Sequence, residues 1–496
     1  MKRRIVAAWP LWSVLVAEIV LTQQWIWRTA PFTDEALYLS AGHAEWAHWL
    51  HHAPLQDYAG WFSGAPVLYP PLAAAADSVG GLAAARTLSL LFMLATTAMV
   101  YMIGGRVFNR LAGALGALLF AVCGLVVHYG AFATFGPPSL FLLVSATWTA
   151  FRVRAGRFAW LPACAGLLAA ANATKYATLA WDPVVIAIIV LHGWDKARKL
   201  AIGRAASVAA TVAVLDVGLV MFGGPAYARG VVVTTLFRTI HWGAPSPAAS
   251  VLARAFALTG VLLLPAIAGV AVSVLGRRPT SMTLFLGLLV LAALLAPIEQ
   301  ARIHQIGSLD KNMGYGLPFA AIGAGYALGA GWTWLAQRGS RAELAATAAV
   351  AVVVLAVMLS GRFAKVQFRG QGLASAARVV TAIKHSYRPG TLILSDSASR
   401  VEQYYLPAIP SSSWTRAYTH TAEQKTRVAD QIRSCLVSVV VLRMNGTGYD
   451  RQYDPAIVRM LNRTGSYELA RVAEYGAYRT AVWKMRSGDQ GTRACQ

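Results

Sequence analysis

Long apolar runs alternate with short polar connections through the first 361 residues, and that alternation predicts eleven helical spans. They lie near 6–27, 80–103, 111–130, 137–151, 158–173, 176–192, 204–223, 252–275, 281–297, 316–335 and 343–361. Most approach the roughly twenty apolar residues that cross a bilayer core of about 30 Å. The polar stretch from Pro31 to Leu72 interrupts the pattern between the first two spans, and it predicts a large surface loop. Within it Thr33 is placed to cap a helix that opens on Asp34 and Glu35, where the helix dipole favours acidic groups. Leu39, Trp46 and Leu50 then recur at helical spacing, and Trp46 and Trp49 suit the headgroup boundary. The expectation is a helix lying on the membrane, after which Pro70-Pro71 turns the chain back towards the bilayer.

Beyond residue 361 the period changes and no spanning run follows. A helical pattern covers 374–386, TLILSD and LVSVVVLR suit buried strands, and a helix carries Tyr404 and Tyr405 between them. YELARVAEYGAYRTAVWK alternates about a Gly turn, as a closing hairpin does. The fold class expected is a polytopic α-helical membrane protein with a small C-terminal α/β extracytoplasmic domain. Residues 1–361 form the transmembrane domain, with a first outer loop at 28–79, and residues 362–496 form the second domain.

Composition fits this division. The chain is 57% hydrophobic and 13% charged, about half the charge of a soluble globule. Lys2-Arg3-Arg4 precedes the first run as in a signal peptide, but the run is too long and no small-residue cleavage site follows it. A formal charge of +23 would suggest nucleic acid in a soluble protein, yet its distribution points to topology. Arg106 and Arg110; Arg152, Arg154 and Arg157; Lys196, Arg198, Lys199 and Arg204; Arg277 and Arg278; and Arg338 and Arg341 fall in alternate connections. That is the positive-inside pattern, with the N-terminus inside and the C-terminal domain outside. Richness in Ala, Val, Gly and Arg suits a bacterium with a GC-rich genome, and hence its inner membrane.

The outer loops carry the candidate chemistry. They hold His43, Lys175, Arg238, His241, Glu299, Arg302, His304, Asp310, Lys311 and Tyr315. Taken singly, each is an ordinary solvated loop residue. Taken together, cations on the face that topology depletes suggest a lining for an anionic group. Glu18 and Asp216 fall inside apolar runs, where a carboxylate serves function or bonds to a neighbouring helix. Cys123 and Cys164 suit buried fillers, and Cys435 and Cys495 are placed where a disulfide is permitted. No CxxC or HExxH spacing appears, so no cofactor is expected and a divalent metal is left without a ligand motif.

DEALYLSAG after the first span, YPPL, then AARTLSLLFMLATTAMVYMIGGRVFNRLAGALGALLFA and the Lys175 turn occur in that order. Together they resemble the GT-C superfamily of polytopic glycosyltransferases that use polyprenyl-phosphate sugars. Protein mannosyltransferases and the transferases that place aminoarabinose on lipid A are the nearest in pattern, over roughly residues 30 to 190. The resemblance implies that Asp34 is the catalytic base, with Glu35 beside it as the rest of the acidic site. It implies that Tyr69-Pro70-Pro71-Leu72 leads into a lipid-phosphate pocket. Relatives often carry Lys where this chain has Tyr69, which moves the phosphate contact to other cations. They also often carry an acidic residue where this chain has Phe135-Gly136-Pro137-Pro138, which weakens a metal-bridged scheme. The implied partners are a polyprenyl-phosphate sugar donor, a lipid, protein or polysaccharide acceptor, and membrane lipids, with no nucleic acid. Lys175, Arg238, Arg302 and Lys311 are then the cations available for the leaving phosphate, and His43, His241 and Tyr315 are the candidates to orient sugar hydroxyls, among which the sequence does not choose. The rivals are a multi-pass transporter, which would show internal repeats and broken helices that the pattern lacks, and a non-catalytic lipid- or glycan-binding membrane protein.

Overall fold

In the computed structural model the first apolar run forms α1 (Lys2–Ile26), and α2 (Thr33–His51) opens the loop after it. The structure describes residues 2–153, 159–235, 245–364, 373–395, 399–417, 421–444, 455–475 and 478–486. Helices then follow in the expected order: α3 (Tyr69–Val107), α4 (Arg110–Val122), α5 (Gly124–Ala131), α6 (Gly136–Ala150) and α7 (Trp160–Thr174). A 3₁₀ turn at Tyr176–Trp181 leads to α8 (Asp182–Phe222), α9 (Gly224–Thr235), α10 (Ala248–Leu275), α11 (Thr280–Arg302) and α12 (Leu309–Met313). The helical part closes with α13 (Leu317–Ala336) and α14 (Ser340–Ala364).

Every expected span is occupied by helix, but length and composition qualify fewer of them. Six described helices are long and apolar enough to cross a membrane, or seven if the bent pair α4 and α5 counts as one span. The other expected spans fall short of that length and composition for physical reasons. Helices α6 and α7 have 15 residues each, about 22 Å at 1.5 Å per residue. In helix α13 the four glycines, Tyr326, Trp332 and Trp334 lower the mean hydropathy. The sixth and seventh expected spans both count among the six, as Tyr176–Asp195 and Ala197–Phe222, joined through the basic segment with a break at Ala197. Helix α2 begins at Thr33 itself, since the Ala36 amide donates to the Phe32 carbonyl, so Thr33 lies within the first turn.

Contacts divide the chain into two units, Met1–Ile26 with Ala41–Gln367 and Trp27–Ser40 with Phe368–Gln496. In the first, α13 packs against α10, α4 and α11. Gly325 permits a close approach: a Cβ there would stand 2.3 Å from the Ala112 carbonyl oxygen of α4. Polar groups in this interior are bonded across helices. Thr97 donates to Glu18 at 2.6 Å, and the Asn172 amide donates to both Asp182 (2.8 Å) and Asp216 (3.0 Å). Glu18 and Asp216 are thus each bonded to a neighbouring helix. Arg86, fully buried, donates to the Ile26 carbonyl at 2.9 Å and lies over the Phe132 ring.

The second unit is a three-layer α/β sandwich. It comprises α15 (Leu373–Ser386), β1 (Leu392–Ser395), α16 (Ser399–Tyr405), β2 (Trp414–Arg416), α17 (Ala422–Arg433), β3 (Val437–Arg443), α18 (Pro455–Arg463), β4 (Tyr467–Tyr475) and β5 (Tyr478–Met485). The sheet order is β2-β1-β3-β5-β4, with β1 parallel to both neighbours and the β4–β5 hairpin antiparallel. Alternate residues fill opposite faces, as a pleated strand requires. Leu394, Val440 and Trp483 pack with Val428, Ile432 and Leu461 of α17 and α18. Ile393, Val439 and Val482 pack with Val379 and Ile383 of α15, and Ala30 joins that same core. Cys435 is disulfide-bonded, Cys495 lies outside the described residues, and Cys123 and Cys164 are buried free thiols.

Candidate active site

Asp34 and Glu35 stand in the first turn of α2, within the second unit. The 27–40 segment is held there because Ala30 is buried among Val379, Ile383 and Val439. The two carboxylates differ sharply: Glu35 is fully buried and Asp34 is half-buried. Adjacent helical residues diverge by about 100°, so one points to the interior while the other keeps access.

In the first unit, several predicted residues converge through the first turn of α6. Lys175 ends α7, and its ammonium donates to the Ser63 hydroxyl at 2.6 Å. The backbone fixes this pairing. The Ala65 amide donates to Ala173 at 2.8 Å and the Tyr176 amide to Ser63 at 3.0 Å. Gly64 is required between them, because a Cβ would fall 2.0 Å from the Thr174 carbonyl oxygen. Phe62, next to this pairing, meets Phe135 edge-on at 5.8 Å between ring centroids, and Tyr69 meets the same ring at 5.4 Å. Tyr69 is itself buried, with its hydroxyl 3.3 Å from Ser89, and Pro70 and Pro71 begin α3.

On the other side of that turn Tyr315 is fully buried, its hydroxyl 2.7 Å from Ser139. Ser139 donates to the Phe135 carbonyl at 2.7 Å, so the Tyr315 hydroxyl donates to Ser139. Burial pushes the Tyr315 phenol well above its ordinary range and keeps it a donor. Tyr129 packs under Gly136 and Gly314 and donates to the Lys311 carbonyl, which sets the α12 turn that carries the Lys311 side chain. The segment Phe135-Gly136-Pro137-Pro138, read as a missing carboxylate, is thus the hub that ties Lys175, Tyr69, Tyr315 and Lys311 into one network.

The remaining candidates lie elsewhere. Arg302 is exposed and forked onto Glu299 at 2.7 and 2.8 Å. His43, also exposed, stands 2.7 Å from Asp77. Arg238 and His241 lie outside the described residues. One ion pair escaped sequence reading altogether: Arg254, inside an apolar run of α10, reaches the wholly buried Asp310 at 3.4 Å. Burial raises the Asp310 carboxyl to about 6, although Arg254 and Lys311 pull it down. Among the described residues, no three His, Cys, Asp or Glu side chains converge as a metal centre.

Residues 74–219 match the family model described as dolichyl-phosphate-mannose-protein mannosyltransferase. No curated protein matches the chain. Among solved structures, the chain is similar to ArnT from Cupriavidus metallidurans bound to undecaprenyl phosphate, at 13% identity and a TM-score of 0.64, over 96% of this chain and 97% of that one. It is also similar to the oligosaccharyltransferase AglB from Archaeoglobus fulgidus in complex with an inhibitory peptide and a dolichol-phosphate. There the identity is 14% and the TM-score 0.56, over 89% of this chain and 70% of that one. Identities this low establish the fold. The chain has the GT-C architecture, mostly helical, with a small C-terminal sheet domain.

Proposed function

We propose that this chain transfers a sugar from a polyprenyl-phosphate carrier to an acceptor hydroxyl at the membrane surface. The fold likeness to ArnT over nearly the full length of both chains is the observation that carries this reading, since that structure is described with undecaprenyl phosphate bound. The acceptor oxygen attacks the anomeric carbon of the sugar while the bond from that carbon to the phosphate oxygen breaks. Asp34 takes the acceptor proton, and the departing polyprenyl phosphate leaves with the bonding electron pair. Cations stabilise the charge that develops on it. Lys175 is the first of these, held by Ser63 next to the Phe62–Phe135 contact. Lys311 and Arg254 stand beside Tyr315 and Asp310 as the second group. The transferred group is a hexose or a pentose. The N-terminus lies inside and the sheet domain outside. This orientation is supported by exposed Arg110, Arg277, Arg278, Arg338 and Arg341 in connections of one parity and by the bonded Cys435.

Lys175→Gln tests the phosphate assignment. Affinity of the purified chain for polyprenyl phosphate should fall about tenfold or more, the size of one lost charge-assisted hydrogen bond. Binding equal to the parent would remove Lys175 from the site. Arg302→Gln should have a smaller effect, because Glu299 already engages that guanidinium.

A further inference from the structure

A groove of about 410 Å³ opens on the C-terminal domain between α15 and the β4–β5 hairpin. That volume is within the range of small-ligand sites. None of its lining residues belongs to the candidate active site. Its charge is one-sided. Arg378 and His385 project from one face of α15, Arg471 from edge strand β4 and Lys484 from β5. The carboxylate paired with this set is Glu468, 3.0 Å from Lys484. Arg471 has no ion-pair partner among the described residues. His385 donates through Nδ1 to the Thr381 carbonyl at 2.8 Å, which leaves Nε2 on the other side of the ring. Alanines on both walls keep the groove open, and the Thr381 and Ser386 hydroxyls line it.

Three fixed positive charges against one carboxylate leave an excess close to the charge of a phosphomonoester dianion at neutral pH. Two guanidiniums match phosphate oxygens in paired hydrogen bonds. The space is larger than a phosphate needs, and its hydroxyls suit a polyhydroxylated body. We propose that this groove binds a phosphorylated sugar and docks a phosphate-bearing acceptor on the sheet domain. The docking role rests on the glycosyltransferase reading; the binding site does not.

The test uses the full chain in nanodiscs of phosphatidylcholine, titrated calorimetrically with glucose 6-phosphate. Saturable binding is expected, weakened about tenfold by Arg378→Gln or Arg471→Gln and lost in the double variant. Both side chains are exposed, so thermal unfolding should be unchanged. Arg471→Lys should retain part of the affinity, which covers any folding defect in the double variant. Undiminished binding by the double variant would overturn the proposal. Inorganic phosphate binding as tightly as the sugar phosphate would reduce the groove to an anion patch and overturn it too. So would displacement of the ligand by phosphatidylglycerol in the nanodisc, which would identify a lipid headgroup as the occupant. The readout is independent of turnover: Asp34→Asn should bind glucose 6-phosphate like the parent, even if transfer is never observed.

Discussion

Asp34→Asn should lower turnover by about a hundredfold or more while leaving the fold and donor affinity intact. Asn preserves size and part of the favourable interaction at the start of α2, which is worth only about 0.3–1 kcal/mol at an exposed helix terminus. It cannot accept the proton of the acceptor hydroxyl. Glu35→Gln should behave differently because Glu35 is fully buried. Its main effect should be on thermal stability, with a milder loss of rate. Transfer rates measured on purified variants of matched donor affinity decide between them. Near-normal turnover for Asp34→Asn would end its assignment as the base, and a collapse confined to Glu35→Gln would move the assignment one residue along.

The second large effect concerns Arg254. Its replacement by Ala leaves Asp310 buried without its nearest counter-charge, a change that costs about 3–5 kcal/mol in buried pairs. The loss should depend on pH in a definite sense. Asp310 has a folded value of about 6, above its ordinary range, and removing Arg254 raises it further. A carboxyl with a raised folded value contributes stability that is complete below its unfolded value of about 3.9 and is lost as pH rises through the folded value. The deficit of Arg254→Ala relative to the parent should therefore be largest near pH 8 and shrink towards pH 5, where Asp310 is protonated in both proteins. Unfolding temperatures at the two pH values test this. A deficit independent of pH would mean that Arg254 acts by packing alone.

What the sequence revealed and what it hid follow from the range of the interactions. Strands β1, β3 and the β4–β5 hairpin were legible because β-branched runs and alternation are local signals. Strand β2 has three residues, too few to show a period. Helix α17 was overlooked on account of its polar surface, although Thr421 and Gln424 form the capping box that marks its start. Asp34, Lys175, Lys311 and Tyr315 could be read as candidates because polar residues are conspicuous in outer loops. The hub at Phe135 could not be. Its links join Ser139 to Tyr315 and Tyr129 to Lys311, pairs far apart in the chain whose meeting only the folded helices bring about. Ala30 gave no sign that it belongs to the core of a domain beginning more than three hundred residues later. Arg254 looked like an accident in an apolar run until Asp310 appeared opposite it.

Transfer requires the chain to break a lipid-phosphate–sugar bond for an acceptor. Purified protein incubated with labelled polyprenyl-phosphate sugar and an envelope extract measures that directly. Label should leave the lipid and appear in the acceptor fraction in equal amounts, with free polyprenyl phosphate formed in step and both signals lost in Asp34→Asn. Donor that binds the protein yet stays intact across hexose and pentose donors, with no label in any acceptor fraction, would contradict it.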